Sequence, residues 1–233
     1  MKTIGLLGGM SWESTALYYE WINNRVKQQL GKLHSAKIAM VSVDFQEIET
    51  LQHKGEWQQA GDILTQAAKQ IEAAGADFLL ICTNTMHIVA PQIQAGVNIP
   101  LLHLADATAQ KIVSQNIKTV GLLGTGFTME QEFYKGRLSE KHGLRVIVPD
   151  KPDRDTIHQV IYDELCLGNI SDISRKKYLA IMQKMADQGC EAIIEGCTEI
   201  TLLVKQEHTK IPLFDTTAIH AEAAVNLALM EHA

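Results

Sequence analysis

Short apolar runs alternate with longer stretches of helical periodicity along the whole chain. Runs at 3–7, 37–43, 77–82, 99–102, 117–123, 144–148, 191–196 and 211–214 predict strands. Helical patterns fall at 13–31, 57–74, 86–95, 104–114, 127–142, 154–167, 172–188 and 216–231. Such alternation predicts mostly parallel sheets flanked by helices, an α/β fold. No Gly/Ser/Pro-rich linker divides the chain.

The pattern also repeats. Lys2-Thr3-Ile4-Gly5-Leu6-Leu7-Gly8 recurs as Lys118-Thr119-Val120-Gly121-Leu122-Leu123-Gly124, 116 residues on. Ile99-Pro100-Leu101-Leu102 recurs as Ile211-Pro212-Leu213-Phe214, 112 residues on. Between them, Gly75 and its following apolar run match Gly189 and its run, 114 residues on. Three anchors in one order at a nearly constant offset mark two copies of one α/β unit. The expected architecture is two pseudo-symmetric α/β lobes with a cleft between them. Lobe 1 spans 1–103, with 212–233 packing back on it, and lobe 2 spans 104–211.

The polarity changes at equivalent places in the two copies. After Phe78-Leu79-Leu80-Ile81 comes Cys82-Thr83-Asn84-Thr85-Met86-His87; after Ala192-Ile193-Ile194 comes Glu195-Gly196-Cys197-Thr198-Glu199. Ligands of open parallel sheets bind at the carboxyl ends of strands. The middle offset puts Thr83 on Cys197, Asn84 on Thr198 and Thr85 on Glu199.

The chain has 233 residues, is 46% hydrophobic and 21% charged, and carries a formal net charge of −6. That balance argues against nucleic acid or an anionic membrane as a partner, since both need a basic face. No apolar run approaches the roughly 20 residues of a membrane span. The start leads straight into a strand-like run without a secretory pattern, so the cytosol is the expected place. Four cysteines, at 82, 166, 190 and 197, form no Cys-x-x-Cys pair. Without metal-ligand spacing they read as free thiols, and no metal site is expected.

Two glycine loops follow strands, Gly8-Gly9-Met10-Ser11 and Gly124-Thr125-Gly126-Phe127-Thr128. Neither is a dinucleotide or P-loop fingerprint. Backbone amides there, with Ser11, Thr125 and Thr128, suit a small carboxylate. Cys197 stands before a helical turn whose N-terminus would lower its pKa. A thiolate so placed is a nucleophile or a base. Glu199 is placed to polarise or repel it, and His87 and His220 are candidate partners. Strand alternation sends Cys82 and Thr83 to opposite faces, so one of them faces the core.

Gly8-Gly9-Met10-Ser11-Trp12, Asn84-Thr85-Met86-His87 and Gly196-Cys197-Thr198-Glu199 together resemble the aspartate/glutamate racemase family along essentially the whole chain. Glu199 is more similar to aspartate racemases than to glutamate racemases, which usually carry His there. The resemblance implies an isomerase without a cofactor, in which two cysteines flank Cα of an amino acid and move its proton. Cys197 matches the second cysteine. The first-half motif, usually Cys-Asn-Thr, reads Thr83-Asn84-Thr85 here. The expected catalytic pair is therefore Thr83 and Cys197, with abstraction favoured from the L-enantiomer. Met10, Ser11, Gln52, Asn84, Thr85, Thr125, Thr128 and Thr198 are the expected substrate-binding residues. The family places basic groups after the second strand and near 160–168; Gln52-His53-Lys54 stands at the first, and 161–168 contains no basic residue. Aspartate and glutamate lead as substrates, with a polar neutral side chain as the other option.

A hydantoin racemase, maleate isomerase or decarboxylase of the same superfamily stays open, as does a non-catalytic amino-acid-binding protein. A homodimer is compatible with all of these.

Overall fold

The computed structural model describes residues 1–230. It divides into two compact units, Met1–Leu104 together with the chain from Thr217, and Ala105–Thr216. The second crossing follows Thr216 because Leu213–Asp215 pairs within the second unit's sheet. The final position of the 216–231 helix lies outside the described residues, as does the tail of the 212–233 segment.

The first unit runs β1 (Ile4–Gly8), α1 (Trp12–Leu30), β2 (Ile38–Ser42), α2 (Phe45–Lys54), α3 (Trp57–Ala73), β3 (Phe78–Ile81), a 3-10 turn (Thr85–Val89) and α4 (Ala90–Ala95). Its parallel sheet has the order β2-β1-β3, with Ile4 opposite both Ile38 and Phe78. All residues of β1 and β3 are buried, which is why both strands read as continuous apolar runs. Leu7, Leu79 and Ile81 face an apolar cluster with α3 residues Leu64, Ala68 and Ile71. Ile4, Leu6, Phe78 and Leu80 face a second cluster with Tyr18, Ile22 and Val26 of α1.

The second unit runs α5 (Leu104–Val113), β4 (Thr119–Gly124), α6 (Gly126–Glu130), α7 (Glu132–His142), β5 (Arg145–Ile147), α8 (Lys151–Asp163), a 3-10 turn (Leu165–Leu167), α9 (Asp172–Asp187), β6 (Ala192–Gly196), α10 (Ile200–Leu203), a 3-10 turn (Gln206–His208) and β7 (Leu213–Asp215). Its sheet is also parallel, in the order β5-β4-β6-β7. Helix α11 (Thr216–Leu229) then returns to the first unit, where Ala221, Ala224, Val225 and Ala228 join the cluster over α1.

The internal repeat is real at the level of hydrogen bonds. Asp77 N–H donates to the Thr3 carbonyl at 2.9 Å, and Glu191 N–H donates to the Thr119 carbonyl at 2.9 Å. Each acidic side chain answers by accepting from the same threonine's amide, at 2.5 Å for Asp77 and 2.9 Å for Glu191. Leu79 N–H reaches the Pro100 carbonyl as Ile193 N–H reaches that of Pro212, both at 2.9 Å.

Several expected elements change form. The 99–102 run makes only a bridge, Leu79 to Leu101, instead of a strand. The chain bends away there because Leu104 donates its amide to His87 Nε2 and not to the sheet. Residues 44–56, without an assignment from periodicity, hold α2, capped by the Asp44 side chain and ended by left-handed Gly55. The 127–142 pattern breaks at Gln131, whose backbone is extended. The 154–167 pattern begins earlier, at Lys151, where Asp150 caps and Pro152 occupies the first turn. The 86–95 helix opens as the 3-10 turn before α4.

Candidate active site

In the first unit the polar residues lie at the carboxyl ends of β1 and β3. Gly9 has φ of +94°, and a Cβ there would sit 2.2 Å from the Val43 carbonyl oxygen. Only glycine lets the loop pass β2 so closely. Ser11 caps α1 by accepting from Ser14 N–H. Thr15 Oγ1 accepts from Gly9 N–H and donates to the Ser11 carbonyl, both at 2.9 Å. Ser14 Oγ donates to the Cys82 carbonyl at 3.3 Å, tying this loop to the end of β3.

Cys82 is fully buried, in the cluster with Ile4, Tyr18 and Leu80, and burial pushes its thiol far up. It is a core residue. Thr83, the next residue, is half-buried. Its carbonyl accepts from His87 Nδ1 at 2.7 Å. Asn84 and Thr85 are buried beside it at the start of the 3-10 turn. Gln52, on α2, is buried with its Nε2 2.9 Å from Met86 Sδ. Met10 lies in the apolar cluster over α3.

The second unit repeats the plan at the ends of β4 and β6. Thr125 caps α6; its Oγ1 accepts from Thr128 N–H at 3.4 Å and lies 3.2 Å from Thr128 Oγ1. Gly126 N–H donates to His158 Nδ1 at 3.1 Å. The amides of Gly9, Ser14, Gly126 and Thr128 are thus given to the protein's own side chains. The acceptors are hydroxyls for Gly9, Ser14 and Thr128 and an imidazole nitrogen for Gly126.

Cys197 is half-buried past β6, following Gly196, whose missing Cβ would lie 2.7 Å from the Leu123 carbonyl oxygen. Its Sγ donates to Glu199 Oε2 at 2.9 Å. Burial first, and then the Glu199 carboxylate, raise the thiol well above its ordinary value. This reverses the expected lowering: α10 has only four residues, too few to outweigh desolvation and an adjacent carboxylate. The resting group is a thiol with a carboxylate placed to take its proton. Thr198 is buried next to it, its carbonyl accepting from Thr201 Oγ1 at 2.7 Å.

The other two candidate partners belong to a buried network in the first unit. Tyr18 Oη lies 2.8 Å from His220 Nδ1, and His220 Nε2 donates to the Leu102 carbonyl at 2.8 Å. Burial, and then His87, lower the His220 pKa to about 3, so it is a neutral ring. Periodicity gave no sign of one further residue. Glu195, the last side chain of β6 before Gly196, is buried, and its Oε1 has no hydrogen-bond partner. Burial, and then Asp215 opposite it on β7, raise its pKa to about 8.

The chain thus holds a duplicated parallel α/β unit with a thiol–carboxylate pair at one strand end and a threonine at the equivalent end, and its relatives place it among racemase-type isomerases. The chain belongs to the Asp/Glu/hydantoin racemase family, whose model matches residues 7–224. It is similar, at 57% identity and a TM-score of 0.95, to the crystal structure of a candidate Asp/Glu racemase from Yersinia pestis, covering 99% of this chain and 100% of that one. An aspartate racemase homologue from Pyrococcus horikoshii OT3 is 33% identical with a TM-score of 0.86, covering 98% and 99%. The broad specificity amino-acid racemase RacX of Bacillus subtilis (strain 168) is 23% identical over 97% of this chain and 98% of its own length.

Proposed function

We propose that the protein interconverts the enantiomers of an acidic amino acid, aspartate or glutamate, without a cofactor, and favours the L-enantiomer. Cys197, as thiolate, removes the α-proton of the L-amino acid, and the Thr83 hydroxyl, or water bound to it, delivers a proton to the opposite face. The observation that carries this reading is the inequality of the equivalent positions. Cys197 has a carboxylate 2.9 Å from its sulfur to accept a proton; Thr83 has a hydroxyl, which donates but is a poor base. Asn84, Thr85, Thr125 and Thr198 supply donors for the α-carboxylate, where charge develops on deprotonation. Met10, Ser11, Gln52 and Thr128 complete the binding residues. The relatives named for aspartate, Asp/Glu and broad amino-acid racemisation support this substrate class.

The test is α-proton exchange in deuterated buffer with L- and D-aspartate offered separately. Rapid washout from L and slow washout from D is expected, and Cys197→Ser abolishes washout from L. Equal washout from the two enantiomers would sink the proposal.

A further inference from the structure

We infer that His87 is the positioning residue for Thr83, holding the hydroxyl side of the site through one fixed ring tautomer; this rests on the assignment of Thr83 and Cys197 above.

Thr83 is the first residue beyond the paired part of β3. The ladder with β1 ends at Ile81, and Cys82 N–H makes the last bond, to the Leu7 carbonyl at 2.9 Å. The Thr83 carbonyl therefore takes its hold from a side chain, His87 Nδ1 at 2.7 Å. On the other edge of the ring, Leu104 donates its backbone N–H to Nε2 at 3.2 Å. An amide can only donate and a carbonyl can only accept, so the ring has one consistent state. Nε2 is bare and Nδ1 carries the proton. A proton on Nε2 would face the Leu104 N–H, donor against donor.

The ring is 1% exposed. His103 lies against it at 4.6 Å between centroids, and His220 at 6.0 Å. Its own amide donates to the Asn84 carbonyl at 3.1 Å. One imidazole thus fastens the peptide of Thr83 to Leu104, where the chain leaves the first unit. A cysteine tolerates loose placement better than a hydroxyl, because sulfur is the larger and more acidic group. A threonine that must donate along one direction needs its backbone held to a fraction of an ångström.

The two bonds separate chemically. Asparagine puts an N–H where Nδ1 is and keeps the Thr83 bond; glutamine puts an acceptor where Nε2 is and keeps the Leu104 bond. The experiment follows L-aspartate in deuterated buffer with His87→Asn and His87→Gln, reading deuterium in recovered L-aspartate and the D-aspartate formed. Exchange with retention needs only Cys197, whereas the D product needs Thr83 as well. His87→Gln is expected to lower D-product formation at least about tenfold while exchange into L falls less than about threefold. His87→Asn restores most of the D-product rate. Equal falls of both readouts in both variants, or wild-type racemisation by His87→Gln, would overturn the assignment. Should either variant not fold, 15N NMR of the wild-type ring decides: a proton on Nδ1 supports it, and one on Nε2 overturns it. Failure of the catalytic pair itself shows separately, as exchange into L that survives Cys197→Ser.

Discussion

The sulfur of Cys197 donates to Glu199 Oε2 across 2.9 Å, two residues along the same strand-end turn. The pair sets two effects of one carboxylate against each other. Glu199 raises the thiol pKa, and it is the group within reach to remove the thiol's proton. Burial, the larger cause of the raised pKa, is unchanged by replacing Glu199. In Glu199→Gln the thiol becomes more acidic yet stays above the ordinary cysteine value. Turnover nonetheless falls by about 10²–10⁴, the usual worth of a positioned general base. Iodoacetamide alkylation of Cys197 against pH checks the first effect, and kcat for L-aspartate the second. Faster turnover in the variant would leave the carboxylate without a catalytic role.

Thr83→Cys places a thiol where the repeat has its counterpart in Cys197. α-Proton washout from the D-enantiomer is expected to rise at least about tenfold, since a thiol is a far better base than a hydroxyl near neutral pH. Cys82, one residue earlier, has no such effect: it is enclosed in the α1 cluster, and Cys82→Ala should cost stability and leave the D/L preference alone. α-Deuterium uptake by L- and D-aspartate offered separately in deuterated buffer reads both variants.

The internal repeat was legible in the sequence because a repeat needs only order and spacing, and the two sheets turn out to share even their edge hydrogen bonds. Helix α2 was hidden because its evidence lies in the caps, Asp44 and Gly55, rather than in apolar periodicity. The bridge at Leu101 could not be separated from a strand, because the chain's departure depends on a side chain, His87, from elsewhere in the fold. The raised thiol pKa is hidden in the sequence for a related reason. A short helix is visible in sequence, whereas desolvation is set by what surrounds the sulfur. Glu195 has the same character: a glutamate ending a strand looks solvated until β4 and β7 are found on either side of it.

Asp106 on α5 accepts from Arg137 Nε at 2.8 Å and Nη2 at 2.7 Å, from Lys141 at 2.7 Å and from His142 at 2.9 Å, all on α7. Partial burial alone would raise its pKa, but these three partners overcome that and hold the carboxyl far below the usual range. A depressed folded pKa gives stability that is present above the unfolded value, near 4, and lost as pH falls through the folded value. Asp106→Asn should cost about 1–3 kcal/mol at pH 7, the partly buried site bringing it below the loss expected for a fully buried pair. In urea denaturation series, the gap to wild type stays constant from pH 8 to 5 and narrows below pH 4. A gap independent of pH down to 2 would mean that the charge carries none of it.

Glu195 has the opposite sign. Its folded pKa, about 8, lies above the ordinary carboxyl value of 4.5, because burial and then Asp215 disfavour the charge. Between those values the native state keeps a proton that the unfolded chain releases, so stability falls as pH rises from about 4.5 to 8 and then levels off. Glu195→Gln removes that slope while keeping the side chain's size. The variant should match wild type near pH 4.5 and exceed it above pH 8 by roughly 2–4 kcal/mol, less than the full linkage because the native site relaxes on ionisation. Thermal unfolding from pH 4.5 to 9 checks this, and parallel curves for the two proteins would show that Glu195 ionises no differently in the folded chain. Since Glu195 precedes Gly196-Cys197, the same series followed by alkylation of Cys197 asks whether that charge reaches the thiol. A negative charge there raises the thiol pKa, so the variant's Cys197 should react faster than wild type above pH 8 and equally below pH 6.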